Sequence, residues 1–216
     1  MHFKEENMLE MTQSNILTTK GAEISFAGAF FPHIEDSYEM SIIAHLKNKY
    51  DVLGSRFGYS PNEKEILETL SFTEEEIENS CGNDPIVGRT LGIIYKKPNY
   101  SLRMPHSKED DEKLEELKKD YPEFFLSLIR VKEYYRDYGV GSAMLKFAEY
   151  KFAKELYGEH KKRGFIEGHF FPLDETKMVE TEEFYRKNGF KFYDREIFKP
   201  IITEKVLDET AHIFER

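Results

Sequence analysis

The sequence predicts an α/β domain, and three observations carry that expectation. From Phe124 onward the apolar pattern alternates between strand and helix periods in the order β-α-β-α-β-β. No internal repeat and no linker-like low-complexity segment divides the chain. Its 216 residues are enough to bury one core without covalent staples. One domain is expected over residues 21–216, behind a polar stretch at residues 1–20 that lacks periodicity and is expected to fray.

In the first half, Glu23 to Phe31 and Ser37 to Leu46 are rich in Ile, Phe and Ala, with interruptions at Pro32 and Asp36, and read as two strands. Ser60-Pro61-Asn62-Glu63 forms a capping box with proline at the first helical position, and Ile66, Leu67 and Leu70 follow on one face. Thr73-Glu74-Glu75-Glu76 repeats the cap signal, so a second short helix is expected, closed by Gly82. Pro85 to Tyr95 reads as a strand broken by Gly88 and Gly92, before a turn near Pro98-Asn99. Between Pro105 and Pro122 lies a charge-dense excursion anchored only by Leu114 and Leu117.

In the second half, Phe124 to Val131 is an apolar run of strand length, and Gly139 opens a helix. Val140, Met144, Ala148, Phe152 and Leu156 recur every four residues, with Phe147 beside them, until Gly158 offers a stop. That stripe is expected to pack on a sheet. A basic turn, Lys161 to Gly164, leads to a strand from Phe165 to Phe171 that Pro172 ends, because proline lacks the N–H a ladder needs. A helix follows from Thr176 to Lys187 and stops at Asn188-Gly189. Phe190 to Phe198 is expected as an aromatic strand, with Ile201 to Leu207 as a last one.

Composition removes several function classes. There are 41 Asp and Glu against 31 Lys and Arg, a net charge of −10, which repels a phosphate backbone, so nucleic acid is not the expected partner. The single cysteine, Cys81, allows neither an internal disulfide nor a thiolate metal cage. Histidines 2, 33, 45, 106, 160 and 212 are scattered without paired ligand spacing, so no metal is inferred. The first residues are acidic where a secretory signal wants bases, and no apolar run reaches the ~18 residues of a membrane helix. The expected compartment is the cytoplasm, with no membrane association.

The segment that points to chemistry is Arg136-Asp137-Tyr138-Gly139-Val140-Gly141-Ser142, between the apolar strand and the amphipathic helix. Backbone N–H groups at a helix start converge and carry partial positive charge, so a pyrophosphate can be held there without a basic patch. Glycine at 139 and 141 lets an anion approach the backbone, Ser142 can add a hydroxyl donor, and Arg136 can add charge. Two glycines two apart also occur in ordinary strand-to-helix turns, so the spacing by itself leaves both readings open.

This segment resembles the acetyl-CoA loop of the GCN5-related N-acetyltransferase (GNAT) superfamily, whose pattern is Arg or Gln, two residues, Gly, any residue, Gly or Ala. Val131 stands where that family has the apolar end of the preceding strand, and Phe184-Tyr185-Arg186-Lys187-Asn188-Gly189-Phe190 resembles its later Phe-Tyr-x-x-x-Gly-Phe signature. The resemblance covers roughly Phe124 to Tyr193, the expected cofactor-binding core. It implies a mixed central sheet flanked by helices, with two strands, ending near Val131 and Phe171, splayed around a slot for the pantetheine arm. It also implies cofactor contacts from Ile129, Val131, Arg136, Tyr138, Gly139, Val140, Gly141 and Ser142. The implied activity is transfer of acetyl from acetyl-CoA to a primary amine by direct attack.

Tyr185 matches the family tyrosine that donates a proton to the departing thiolate; the same aromatic pair would also serve simply to cap a helix and pack the core. The base stays open. The position where histone-modifying members carry a glutamate lines up with Phe125, while Glu167 and His169, two apart on one strand, share a face and are candidates. Polar residues on a sheet face also occur for no chemical reason. The family asparagine ahead of the tyrosine falls near Met178, which leaves that cofactor contact unmatched. The partners expected are acetyl-CoA and an amine acceptor, a cationic one being favoured by the acidic surface, and a homodimer is compatible with the sequence. Two competing readings are a GNAT-fold binding or regulatory protein that has lost transfer, and an acyltransferase with a longer acyl donor.

Overall fold

The computed structural model describes residues 10–17, 23–33, 37–46, 86–96, 121–131, 136–137, 139–170, 175–193 and 196–214. The expected helices at Ser60 and Thr73, the turn at Pro98-Asn99, the excursion between Pro105 and Asp120, and Tyr138 lie outside the described residues.

The described strands are β1 (Glu10–Leu17), β2 (Glu23–Pro32), β3 (Ser37–Leu46), β4 (Ile86–Tyr95), β5 (Glu123–Val131), β6 (Arg163–His169), β7 (Lys191–Tyr193) and β8 (Glu196–Ile202). They form one sheet in the order β1-β2-β3-β4-β5-β6-β8-β7. All neighbours are antiparallel except β5 and β6, which are parallel and are joined through helix α1 (Val140–Gly158). Helix α2 (Met178–Lys187) follows a single 3-10 turn at Glu175–Lys177, and α3 (Thr203–Phe214) closes the described chain. The fold is therefore α/β with a mixed central sheet.

Alternation along the strands explains where the core sits. Ile24, Phe26, Met40, Ile42, Ile94, Phe124, Leu126, Ile166, Ile197 and Ile201 face α1 in one continuous buried cluster. The expected helix stripe of Val140, Met144, Phe147, Ala148, Phe152 and Leu156 is buried against them. On the other sheet face Phe165 and Phe198 stack with centroids 5.5 Å apart and pack with Tyr121 in a separate cluster.

Helix α1 is buried well beyond that one stripe. Tyr150, Lys151 and Glu149 are also buried, and α3 covers the flank at Tyr150: the Phe214 ring stands 5.1 Å from Phe147 and 5.3 Å from Tyr150. Lys151 is fully buried, with its ammonium 4.7 Å from the Phe30 ring of β2.

Three expectations are corrected. Ile201 to Leu207 is not a strand beyond Ile202: Thr203 starts α3, its N–H bonding Lys162 O at 3.0 Å and its hydroxyl Lys161 O at 2.9 Å. Val206, Thr210 and Phe214, four apart and all buried, supply the helical period that outweighs the local run of branched residues. Phe190 to Phe198 divides into β7 and β8, which pair from Lys191↔Phe198 to Tyr193↔Glu196 as a hairpin. Glu10–Leu17, placed in the fraying stretch, pairs in full register with β2 as an edge strand, main-chain pairing supplying what its polar side chains do not advertise.

Candidate active site

Strands β5 and β6 are partners over only three residue pairs, Glu123↔Phe165, Phe124↔Ile166 and Phe125↔Glu167. Beyond Phe125 the β5–β6 pairing ends, and among the described residues β5 continues paired to β4. The cause lies on the opposite edge of β5. Leu91 faces Leu128 while Gly92 faces Leu126, so Ser127 is one residue too many, and a bulge of this kind bends and twists its strand. Gly92 permits the bend: a β-carbon there would fall on the Phe124 ring and 2.6 Å from Phe125 O. Gly168 sits at the fork itself, where an added carbon would lie 2.7 Å from Leu126 O. The result is a fork, with β5 running on from Leu126 to Val131 out of register with the end of β6, and it answers to the splay that the family resemblance implies.

The glycine loop closes one end of that fork. Asp137 and Gly139 adopt left-handed backbone, with φ of 63° and 79°, and Gly139 takes the N-cap position, its carbonyl accepting the first helical bond from Ala143 N–H at 3.0 Å. A glycine cap has no side chain to cover the first-turn amides, and no acidic residue stands in that turn, so nothing in the first turn of α1 itself offsets its partial positive charge. Gly141 is the contact point of three elements: a β-carbon there would lie 3.1 Å from the Phe184 ring and 3.5 Å from Val131 Cγ2. Arg136 is exposed and its Nε donates to Val131 O at 3.3 Å, fastening the loop to the end of β5. Ile129 and Val131 are half-buried against the core, Val140 is buried, and Ser142 is half-buried.

Helix α2 supplies the other wall. Phe184 and Tyr185 stack edge-on at 5.2 Å, and Tyr185 is enclosed by Phe170, Phe190 and Phe192 at 6.3, 5.4 and 6.5 Å. Burial among these rings pushes its phenol well above the ordinary tyrosine range, so Tyr185 holds its proton. Phe170, which follows β6 directly, brings this cluster to the β6 side of the slot.

Glu167 and His169 share a face of β6, as the alternation requires, and it is the face opposite α1, since the intervening Ile166 joins the α1-side core and Phe165 does not. Glu167 is buried and lies directly across from Phe125. His169 is half-buried, its ring edge-on to Phe125 at 5.3 Å. Tyr185 thus belongs to the α1 side of the sheet, and Glu167 with His169 to the other, with the slot between.

The structure joins the loop to the end of β5 through Arg136 and Val131, and to α2 through Gly141 and Phe184, with Ile129, Val131, Val140 and Tyr185 in one core cluster. The sequence reading missed Asn188 and Lys199. Asn188 Nδ2 donates to Ser142 Oγ at 3.1 Å and to Phe184 O at 2.8 Å. Lys199 Nζ donates to Asn188 O at 2.8 Å and to Glu149 Oε1 at 2.5 Å. Asn188-Gly189 was legible only as a helix stop, and no local pattern links it to a serine forty-six positions earlier.

Among the described residues no group of three or more His, Cys, Asp or Glu side chains converges as a metal site, and no helix is long and apolar enough to cross a membrane. A shallow apolar recess of about 200 Å³ lined by Tyr121, Phe165, Phe198 and Pro200 lies at the opposite end of β6, away from the loop.

No protein-family model and no curated protein matches the sequence. Among solved structures, the chain is similar to AtaTR bound with AcCoA at 8% identity and a TM-score of 0.41, over 78% of this chain and 69% of that one. AtaT complexed with acetyl-methionyl-tRNAfMet matches at 12% identity and a TM-score of 0.40, over 78% of this chain and 73% of that one. The NatC complex bound to Gag peptide and CoA matches at 11% identity and a TM-score of 0.33, over 74% and 70%. Strand order, the β5–β6 fork and the loop beside it, rather than these distant likenesses, define the fold described above.

Proposed function

We propose that this protein is an acyl-CoA-dependent N-acyltransferase, with acetyl-CoA as donor and a primary amine, a small cation or a protein amino group, as acceptor. One observation carries the reading: the sheet forks at Phe125, and the uncapped start of α1, with Gly139 and Gly141, stands at the mouth of that fork. Past the fork β5 and β6 no longer pair with each other, which suits an extended amide-bearing arm between them, and the helix start offers N–H groups to a pyrophosphate at the arm's end. A pantetheine joined to a diphosphate has both features in that order. Gly141 fits the group, because a side chain there would crowd the wall formed by Val131 and Phe184.

In this reading Ile129 and Val131 present β5 main chain to the arm. The main-chain N–H groups of Gly139, Val140, Gly141 and Ser142 hold the diphosphate, and Arg136 adds charge at the loop's edge. Tyr138 belongs to the same loop by its place in the sequence.

The chemistry is direct transfer. The acceptor's ammonium loses one proton to give the neutral amine, whose nitrogen attacks the thioester carbon; a C–N bond forms, the C–S bond breaks, the nitrogen gives up its second proton to leave the neutral amide, and the sulfur takes up a proton to leave as the thiol. Tyr185, held protonated by burial, is the proposed donor to sulfur; Glu167 and His169, across the sheet, are the proposed proton acceptors from the amine, directly or through water. An acid and a base on opposite sides of the slot suit a reaction in which the leaving group and the nucleophile approach the carbonyl from different directions.

The test is calorimetric titration with CoA and acetyl-CoA, followed by thiol release with a panel of amines. Binding by the native chain, weakened in Gly141→Leu, together with amine-dependent thiol release, is the expected result; absence of any CoA affinity would overturn the assignment. A second reading, a cofactor-binding protein without transfer, is favoured by the apolar Phe125 opposite Glu167, and binding without turnover of any amine would support it.

A further inference from the structure

We infer that Asn188 is a positioning residue that orients the hydroxyl of Ser142 outward as a hydrogen-bond donor to a bound diphosphate; the inference rests on the reading that the loop at Gly139 to Ser142 grips CoA. One terminal atom of the Asn188 amide lies 2.8 Å from Phe184 O and 3.1 Å from Ser142 Oγ. A main-chain carbonyl only accepts, so that atom is the nitrogen, and its two protons are both committed. Ser142 Oγ must then accept from Asn188, and its own proton is directed elsewhere. A serine beside a bare helix start would otherwise rotate freely and use its lone pairs as often as its proton. Here the lone pair facing α2 is occupied, and the hydroxyl is set to donate.

The second part of the device holds Asn188 itself. Its carbonyl accepts from Lys199 Nζ at 2.8 Å, and the same ammonium bonds Glu149 Oε1 at 2.5 Å. Glu149 and Ser142 are seven residues apart, two turns along one face of α1. Asn188 is thus clipped to α1 at two points, by its side chain at Ser142 and by its carbonyl, through Lys199, at Glu149. Gly189, left-handed with φ of 83°, turns the chain away immediately afterwards. The end of α2 therefore cannot drift from the start of α1 without breaking both clips.

The experiment measures the affinity of the full chain for CoA and for S-acetyl-pantetheine, which keeps the arm and lacks the diphosphate. Wild type, Ser142→Ala, Asn188→Ala and the double variant are compared, with thermal unfolding monitored in each. The expected result is that each single change weakens CoA roughly three- to tenfold, that the double variant is no weaker than either single one, and that S-acetyl-pantetheine is unaffected. Asn188→Asp, isosteric with the native side chain, reverses the proton direction at Ser142 and places a carboxylate behind it; CoA affinity is expected to fall more than in Asn188→Ala. If wild type binds CoA while the Asn188 variants bind it equally well, or if the two losses multiply, or if both ligands weaken alike, the positioning role is overturned and the cofactor reading stands. If wild type binds no CoA, both fall.

Discussion

Phe125 and Glu167 are the last residues to face one another across β5 and β6. One position later Gly168 lies so close to β5 that an added carbon would meet Leu126 O at 2.7 Å, a contact with main chain that a side-chain rotation cannot relieve. The fork is therefore a tight contact followed at once by a gap. Gly168→Ala is expected to lower stability by about 1–3 kcal/mol through this overpacking and to weaken CoA binding by tilting the slot's edges. Urea unfolding and calorimetry check the two halves separately.

The two loop glycines should separate stability from binding. Gly139→Ala forces a β-carbon into left-handed backbone at φ 79° and is expected to cost about 1–2 kcal/mol. Gly141 has ordinary helical backbone, and alanine there gains up to ~1 kcal/mol of helix propensity against a 3.1 Å approach to the Phe184 ring. Its unfolding free energy is expected to stay within about 0.5 kcal/mol of wild type, whereas its CoA affinity falls. A matched loss of both would place Gly141 in packing rather than in binding.

Tyr185 makes a pH-dependent contribution whose sign follows from its burial. In the unfolded chain the phenol ionises near its ordinary value of 10.0, while in the fold burial keeps it protonated to higher pH. Above that value the unfolded state binds fewer protons than the native one, so stability falls as pH rises. Tyr185→Phe is expected to remove this slope, read from urea midpoints on either side of pH 10. The same variant lowers kcat by roughly a hundredfold if the phenol supplies the proton; unchanged turnover across the pH range would take Tyr185 out of the chemistry.

Glu149 carries an opposing pair of effects. Burial raises its carboxyl above the usual 4.5, and the neighbouring Lys199 pulls it back only in part. Between 4.5 and that raised value the native state holds a proton the unfolded chain has released, so this group's contribution to stability declines as pH climbs through the window. Glu149→Gln should flatten that dependence. Lys199→Met leaves a buried carboxylate without its cation and should cost roughly 3 kcal/mol at neutral pH, measured by chemical denaturation.

Phe214 touches both Phe147 and Tyr150 from the last turn of α3. Phe214→Ala is expected to cost about 3–5 kcal/mol by opening a cavity against α1, seen as a lower unfolding midpoint.

What was legible in the sequence had a period or a punctuation mark. The stripe from Val140 to Leu156 announced α1, and glycines at 139 and 189 marked helix boundaries that the backbone confirms with positive φ. The loop could be read because its requirement, main chain without side chains, is written directly as glycine. Local reading failed where long-range pairing decides. Glu10–Leu17 becomes a strand through β2 rather than through its own pattern, and α3 was hidden because Ile201, Ile202, Val206 and Leu207 read locally as branched strand residues. The clip between Ser142 and Asn188 joins residues that only the folded chain makes neighbours.

The surplus residue at Ser127 has a consequence for how the opening could be lost. Its position is set by counting: one amino acid too many on β5 turns a strand that would otherwise run on flat beside β6. Shortening the chain there by a single codon would bring Leu126 and Leu128 into uninterrupted step with Gly92 and Leu91, and the cleft would zip shut while every side chain that lines it remained in the sequence.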